Sequence, residues 1–115
     1  MGRLTTHVLD TSRGSPAAGM RVELFREGGA LPALSSVITN REGRADAPLL
    51  AGPAFLPGAY RLVFYVGDYF RKSGQPDAGR FLEEVPVVFI VSDSMESYHV
   101  PLLVSPWSYA TYRGS

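Results

Sequence analysis

Short runs of alternating apolar and polar residues dominate the chain, punctuated by glycine and proline. From Gly19 to Arg26, Met20, Val22 and Leu24 alternate with Arg21 and Glu23, the period-two pattern of a strand with one buried face. Ala59 to Val66 repeats it, with Tyr60, Leu62, Phe64 and Val66 on one face and Ala59, Arg61, Val63 and Tyr65 on the other. Leu4 to Asp10, Leu34 to Thr39, a brief stretch around Arg44 to Ala47, Ser97 to Val104, and Trp107 to Arg113 read as further strands. Glu84 to Val91 is different: Val88 and Ile90 lie opposite Val87 and Phe89. That pattern predicts a strand buried on both sides, the second side covered by another subunit or a loop.

Ser12 to Pro16, Asn40 to Gly43 and Ser105-Pro106 are turn clusters, and Ala51 to Pro57 reads as loop. Between Gly67 and Gly74 the texture changes, predicting one helix of about two turns with Asp68 as its cap and Gly74 as its stop. Pro86 and Pro101 fall inside strand patterns, where each removes a ladder donor, so each is expected at an edge-facing or bulged position. Eight short strands and one helix predict an all-β sandwich.

A length of 115 residues suits a single domain, residues 1–115, around one core. Eleven basic and eleven acidic side chains cancel without any like-charge block, which argues against a nucleic-acid partner. Cysteine is absent, so disulfides, Cys-ligated zinc and thiol nucleophiles are excluded. The apolar run Val85 to Val91 is too short to span a bilayer, and the first ten residues lack a signal-peptide core. Gly2 followed by Thr6 matches a myristoylation pattern that is common by chance. The expectation is a cytoplasmic protein with no membrane partner.

Few groups can carry chemistry. His7 shares a strand face with Thr5 and Leu9, and His99 shares one with Pro101 and Leu103. Tyr98, Val100, Leu102 and Val104 form the better core face, so both imidazoles are expected to project from outer sheet faces. Read alone, each is first an ordinary surface or half-buried histidine, and otherwise a general base poised near neutral pH. Two ligands fall short of a zinc site unless a two-fold interface brings four together. Arg44 is either a solvated arginine or an anion and carbonyl clamp. Glu83, Glu84 and Asp93 look like edge and turn residues. The segment Tyr109 to Ser115 reads as a strand that delivers its last residue to a fixed place.

Leu4-Thr5-Thr6-His7-Val8-Leu9-Asp10-Thr11 followed by Gly14-Ser15-Pro16-Ala17 resembles the N-terminal signature of the transthyretin-related 5-hydroxyisourate hydrolases. Tyr98 to Pro106 and Tyr109 to Ser115 resemble the C-terminal signature, and Thr39-Asn40-Arg41-Glu42-Gly43-Arg44 resembles an internal one. The departures are Arg41, Glu42, Trp107-Ser108 and Ala110. The ending Tyr112-Arg113-Gly114-Ser115 is what separates the family's hydrolases from its hormone carriers.

The resemblance implies a sandwich of two four-stranded sheets with one short helix. It also implies a homotetramer, a dimer of dimers with active sites in a central channel. The implied reaction is hydrolysis of 5-hydroxyisourate to 2-oxo-4-hydroxy-4-carboxy-5-ureidoimidazoline in urate degradation, without cofactor or metal. The family's catalytic set falls on His7, Arg44 and His99, and its substrate-binding tetrapeptide on Tyr112, Arg113, Gly114 and Ser115. His7 is the favoured base with His99 orienting it or the substrate, and the exchange of these roles stays open. The rival is a transthyretin-like carrier of small ligands without catalysis.

Overall fold

The computed structural model describes residues 1–29 and 32–114. Strands β1 (Arg3–Asp10), β2 (Ser15–Pro16), β5 (Leu50–Ala51), β8 (Tyr98–Val104) and β9 (Tyr109–Thr111) form one sheet. Its order is β2-β1-β8-β9, with β5 also pairing with β1. Strands β3 (Arg21–Arg26), β4 (Ser35–Ile38), β6 (Gly58–Phe64) and β7 (Val85–Val91) form the other, ordered β4-β3-β6-β7. A helix, α1 (Val66–Lys72), follows β6 directly.

The two sheets enclose one core because each strand turns alternate residues inward. Leu4 and Val8 from β1, Val22 and Leu24 from β3, and Leu62 and Phe64 from β6 are completely buried. They meet Val85 of β7 and Leu102 and Val104 of β8 in one cluster. Asp10 is buried too, and its cost is offset by three donors. It accepts from the Tyr69 hydroxyl at 2.8 Å, from the Ser12 amide at 3.0 Å and from the Ser12 hydroxyl at 2.5 Å. Burial, then the bond to Asp10, pushes the Tyr69 phenol up to about 12. This pins α1 to the end of β1.

The sandwich and its helix agree with expectation, and several details differ, among them a short strand at Ser15–Pro16 inside the expected turn. The β1 sheet has a fifth strand, because Leu50–Ala51 pairs with Arg3 and Leu4 where a loop was expected, and a 3-10 turn, Gly52–Ala54, follows. The expected strand at Arg44 to Ala47 shrinks to a single bridge between Arg44 and His7. The helix starts one turn early, at Val66, with no side-chain cap, while Asp68 sits in its first turn and pairs with Arg71 at 2.8 Å.

The two prolines find different solutions. Pro86 lies in the edge strand β7. Pro101 lies in the interior strand β8, where its carbonyl accepts the Thr111 hydroxyl at 2.7 Å. The amide and carbonyl of one strand residue point to the same side, so the missing donor falls beside β9, just past its last paired residue, Thr111. Finally, β7 is buried on one side only: Val85, Val87 and Val91 are inside, while Val88 is 52% and Ile90 62% exposed. The outer apolar side has no cover within one chain.

Candidate active site

β1 and β8 run parallel, in a register that pairs Thr5 with His99 and His7 with Pro101. Along β1, Leu4, Thr6, Val8 and Asp10 are buried and Thr5, His7 and Leu9 are half-buried, so alternation places His7 on the outer face. His99 is half-buried between buried Tyr98 and Val100, on that same face. The two histidines are offset by two ladder steps on neighbouring strands, which separates their Cα atoms by roughly 8 Å.

Arg44 is delivered by a turn held from several sides. The Asn40 side-chain carbonyl accepts from the Glu42 amide at 2.9 Å and the Arg44 amide at 3.1 Å, while its amide group donates to Asp46 at 3.0 Å. The Val8 amide donates to the Gly43 carbonyl at 2.8 Å, locking the turn onto β1. Gly43 has φ +77°, and a side chain there would collide with the Val8 carbonyl and reach the His7 ring. Glycine therefore lets the turn approach closely enough for Arg44 to bridge to His7.

The His99 ring is held on two edges. Thr5 Oγ1 lies 2.8 Å from its Nδ1. Gly114 backs the opposite edge, where a Cβ would come within 2.6 Å of His99 Cδ2, and its amide donates to the His99 carbonyl at 2.7 Å. Burial, then the positive charges of Arg44 and His7, hold the His99 imidazole below its ordinary value of 6.5. At neutral pH it is therefore uncharged and able to accept a proton. It opens on a cleft of about 490 Å³ lined also by Arg3, Thr5, Arg44, Asp46 and Ser97.

The C-terminal residues divide. Gly114 packs on His99. The Arg113 guanidinium turns to Glu96 at 2.9 Å and the Ser97 carbonyl at 3.1 Å, and lies 3.9 Å from the Tyr98 ring centre. Tyr112 is exposed beside a second, apolar groove of about 220 Å³ lined by Val88 and Ile90. Within one chain neither Tyr112 nor Arg113 lines the His99 cleft. Ser115 lies outside the described residues. Among the described residues no group of three or more His, Asp or Glu side chains is gathered to hold a metal ion.

The family model described as HIUase/Transthyretin family matches residues 4–114. The chain belongs to that family. It is 54% identical to 5-hydroxyisourate hydrolase 2 of Rhizobium meliloti, over 99% of this chain and 97% of that one. It is 50% identical to the 5-hydroxyisourate hydrolase of Pseudomonas aeruginosa, over 100% and 93%. Among solved structures, Klebsiella pneumoniae 5-hydroxyisourate hydrolase superposes with a TM-score of 0.83 at 35% identity, each chain fully covered. An (S)-allantoin synthase reaches 0.92 at 43% identity over 99% of this chain, which spans only 44% of that protein. Sea bream transthyretin, solved in complex with thyroxine, reaches 0.85 at 26% identity over 97% of this chain and 94% of that one. Hydrolases and a thyroxine-bound transthyretin thus share one fold, and the choice between them rests on the site.

Three contributors to this geometry escape a reading of histidines and arginines alone: Thr5, Asn40 and Asp46. Alternation puts Thr5 on the His7 face, but its partner depends on the β1–β8 register. Asn40 three residues before Gly43 is a turn signal, and its two accepted amides show what that turn is for.

Proposed function

We propose that this chain is a 5-hydroxyisourate hydrolase, acting as a single domain within a homotetramer in the cytoplasm. The observation that carries this reading is the His99 imidazole, anchored at Nδ1 by Thr5 and sharing an open cleft with Arg44, with His7 on the same face of the neighbouring strand. Relatives bearing that enzyme's name at 50% and 54% identity support it.

The chemistry follows from the groups. His99 takes a proton from water, and the resulting hydroxide adds to a ring carbonyl carbon of the substrate. Arg44 offsets the negative charge that develops on the carbonyl oxygen. The ring carbon–nitrogen bond then breaks, the nitrogen takes the proton from the imidazolium, and the carbonyl carbon ends as a carboxylic acid that releases its proton to solvent. His7 orients the water and substrate from the neighbouring strand. This exchanges the roles favoured above, because His99 lines the cleft and is held at Nδ1 by Thr5, and its ring resists protonation at neutral pH. Within the substrate-binding segment Tyr112 to Ser115, Gly114 packs against the His99 ring and bridges to its backbone. No cofactor takes part.

Assembly completes the pocket. β7 and β9 are edge strands of the two sheets, and Val88, Ile90, Tyr109 and Tyr112 beside them are exposed. Unpaired edges with apolar flanks favour pairing with a second copy. Two such dimers, set face to face across the outer side of β1 and β8, make a channel from the open cleft. Light scattering is expected to return four times the 12.5 kDa chain mass.

The deciding experiment follows the decay of freshly generated 5-hydroxyisourate by absorbance. Catalytic amounts of protein should accelerate it, and His99→Ala or His7→Ala should slow turnover by about 10²-fold or more. Decay unchanged by the folded protein would overturn the enzyme reading in favour of a small-ligand carrier.

A further inference from the structure

We propose that Thr5 is a positioning residue for this hydrolysis: its hydroxyl fixes which edge of the His99 ring faces the cleft and which ring nitrogen is left free. The proposal rests on the hydrolase reading above.

A histidine ring can turn over about its Cβ–Cγ bond, which exchanges Nδ1 with Cδ2 and Nε2 with Cε1. The reacting nitrogen then moves by the width of the ring. In the observed orientation Nδ1 faces Thr5 Oγ1 at 2.8 Å, and Cδ2 faces Gly114. Turned over, a carbon would face the hydroxyl. Nδ1 would face Gly114, whose amide is already committed to the His99 carbonyl at 2.7 Å. Thr5 thus supplies the polar partner that distinguishes the two orientations, and one neutral hydrogen bond biases such an equilibrium by about tenfold.

The backbone sets the placement. Thr5 and His99 are direct partners in the parallel ladder, and a β-branched side chain is stiff at χ1. In the proposed arrangement Nδ1–H donates to the Thr5 hydroxyl, which leaves the Nε2 lone pair for the cleft. Positive charge from Arg44 and His7 disfavours a second proton on the ring.

The test compares wild type, Thr5→Val and Thr5→Ser. Valine keeps the shape and removes the hydroxyl, and serine restores it. Nitrogen-15 NMR of His99 reads the tautomer without substrate. The expected wild-type spectrum is one tautomer, protonated at Nδ1. In Thr5→Val a mixture should appear, kcat should fall about tenfold with KM retained, and Thr5→Ser should recover both. A Thr5→Val spectrum like wild type, whatever its turnover, overturns the proposal, as does a mixed spectrum with unchanged kcat. A wild-type protein with one His99 tautomer but no turnover instead overturns the hydrolase reading itself.

Discussion

Gly43 and Gly74 share one backbone conformation, φ +77°, in two very different surroundings. Around Gly74, which ends α1, an added Cβ meets nothing within 4 Å. Around Gly43 it would drive into the Val8 carbonyl oxygen and stand 3.3 Å from both the His7 ring and Pro16. Alanine at either site incurs the left-handed penalty of about 1–2 kcal/mol. Only Gly43→Ala adds the cost of forcing packed backbone apart, about 1–3 kcal/mol for an overpacked site. The turn can relieve that clash only by retreating from β1, which lengthens the bond from the Val8 amide to the Gly43 carbonyl and carries Arg44 away from His7. A displacement of that order at a catalytic group costs roughly 10²-fold in rate. Urea unfolding of the two variants, with turnover measured on each, isolates the effect because the conformational penalty cancels between them. Gly74→Ala should keep its activity, and Gly43→Ala should be both the less stable and nearly inactive. Equal stabilities, or full turnover in Gly43→Ala, would refute the close-approach argument.

Four further outcomes are expected. Because His99 resists protonation, the acid limb of kcat/KM should lie below the ordinary imidazole value of 6.5, and Arg44→Gln should move it upward by removing an opposing positive charge, as an NMR titration of His99 would show. The same depression has a stability consequence: the unfolded chain takes up this proton at higher pH than the folded one, so the His99 contribution to stability is lost as pH falls through and below about 6.5, which pH-dependent urea midpoints would register. Leu62→Ala removes a fully buried side chain from β6, between β3 and β7, and should cost about 2–5 kcal/mol in urea unfolding while leaving Arg44, His7 and His99 untouched. Deleting residues 112–115 uncovers the His99 ring edge now backed by Gly114, so turnover should collapse while circular dichroism still reports a folded sandwich.

The sequence made strands legible where the signal is local. Alternation put Val22 and Leu24 of β3, with Met20 just before it, on one buried face and grouped Tyr60, Leu62 and Phe64 of β6 on one face, and all six are fully buried. The same count put His7 and His99 on outer faces, where they stand. What alternation cannot carry is register. Thr5 and His99 are 94 residues apart, and no local pattern states that β1 and β8 lie side by side and parallel, still less which residues face each other. The stretch at Arg44 misled for a related reason. It has the look of a strand, but its backbone is engaged by the Asn40 turn, which leaves one bridge to β1 instead of a ladder.

β7 is the most instructive case, since its pattern predicts burial on both sides and the single chain buries only one. Side chains alternate across a strand, so a run that is apolar on both faces describes two surroundings at once. The sandwich core supplies one of them, around Val85, Val87 and Val91. The other, beside Val88 and Ile90, is open in one chain, and the apolar groove there continues onto Tyr112 of the C-terminal segment. A chain that spends large apolar side chains on an edge strand would invite uncontrolled pairing unless that edge has a fixed occupant. A second copy meeting the first at β7 and β9 would satisfy both strands together. It would also tie assembly to catalysis, because the strand that would pair, β9, leads directly into the Gly114 contact that holds His99 in place.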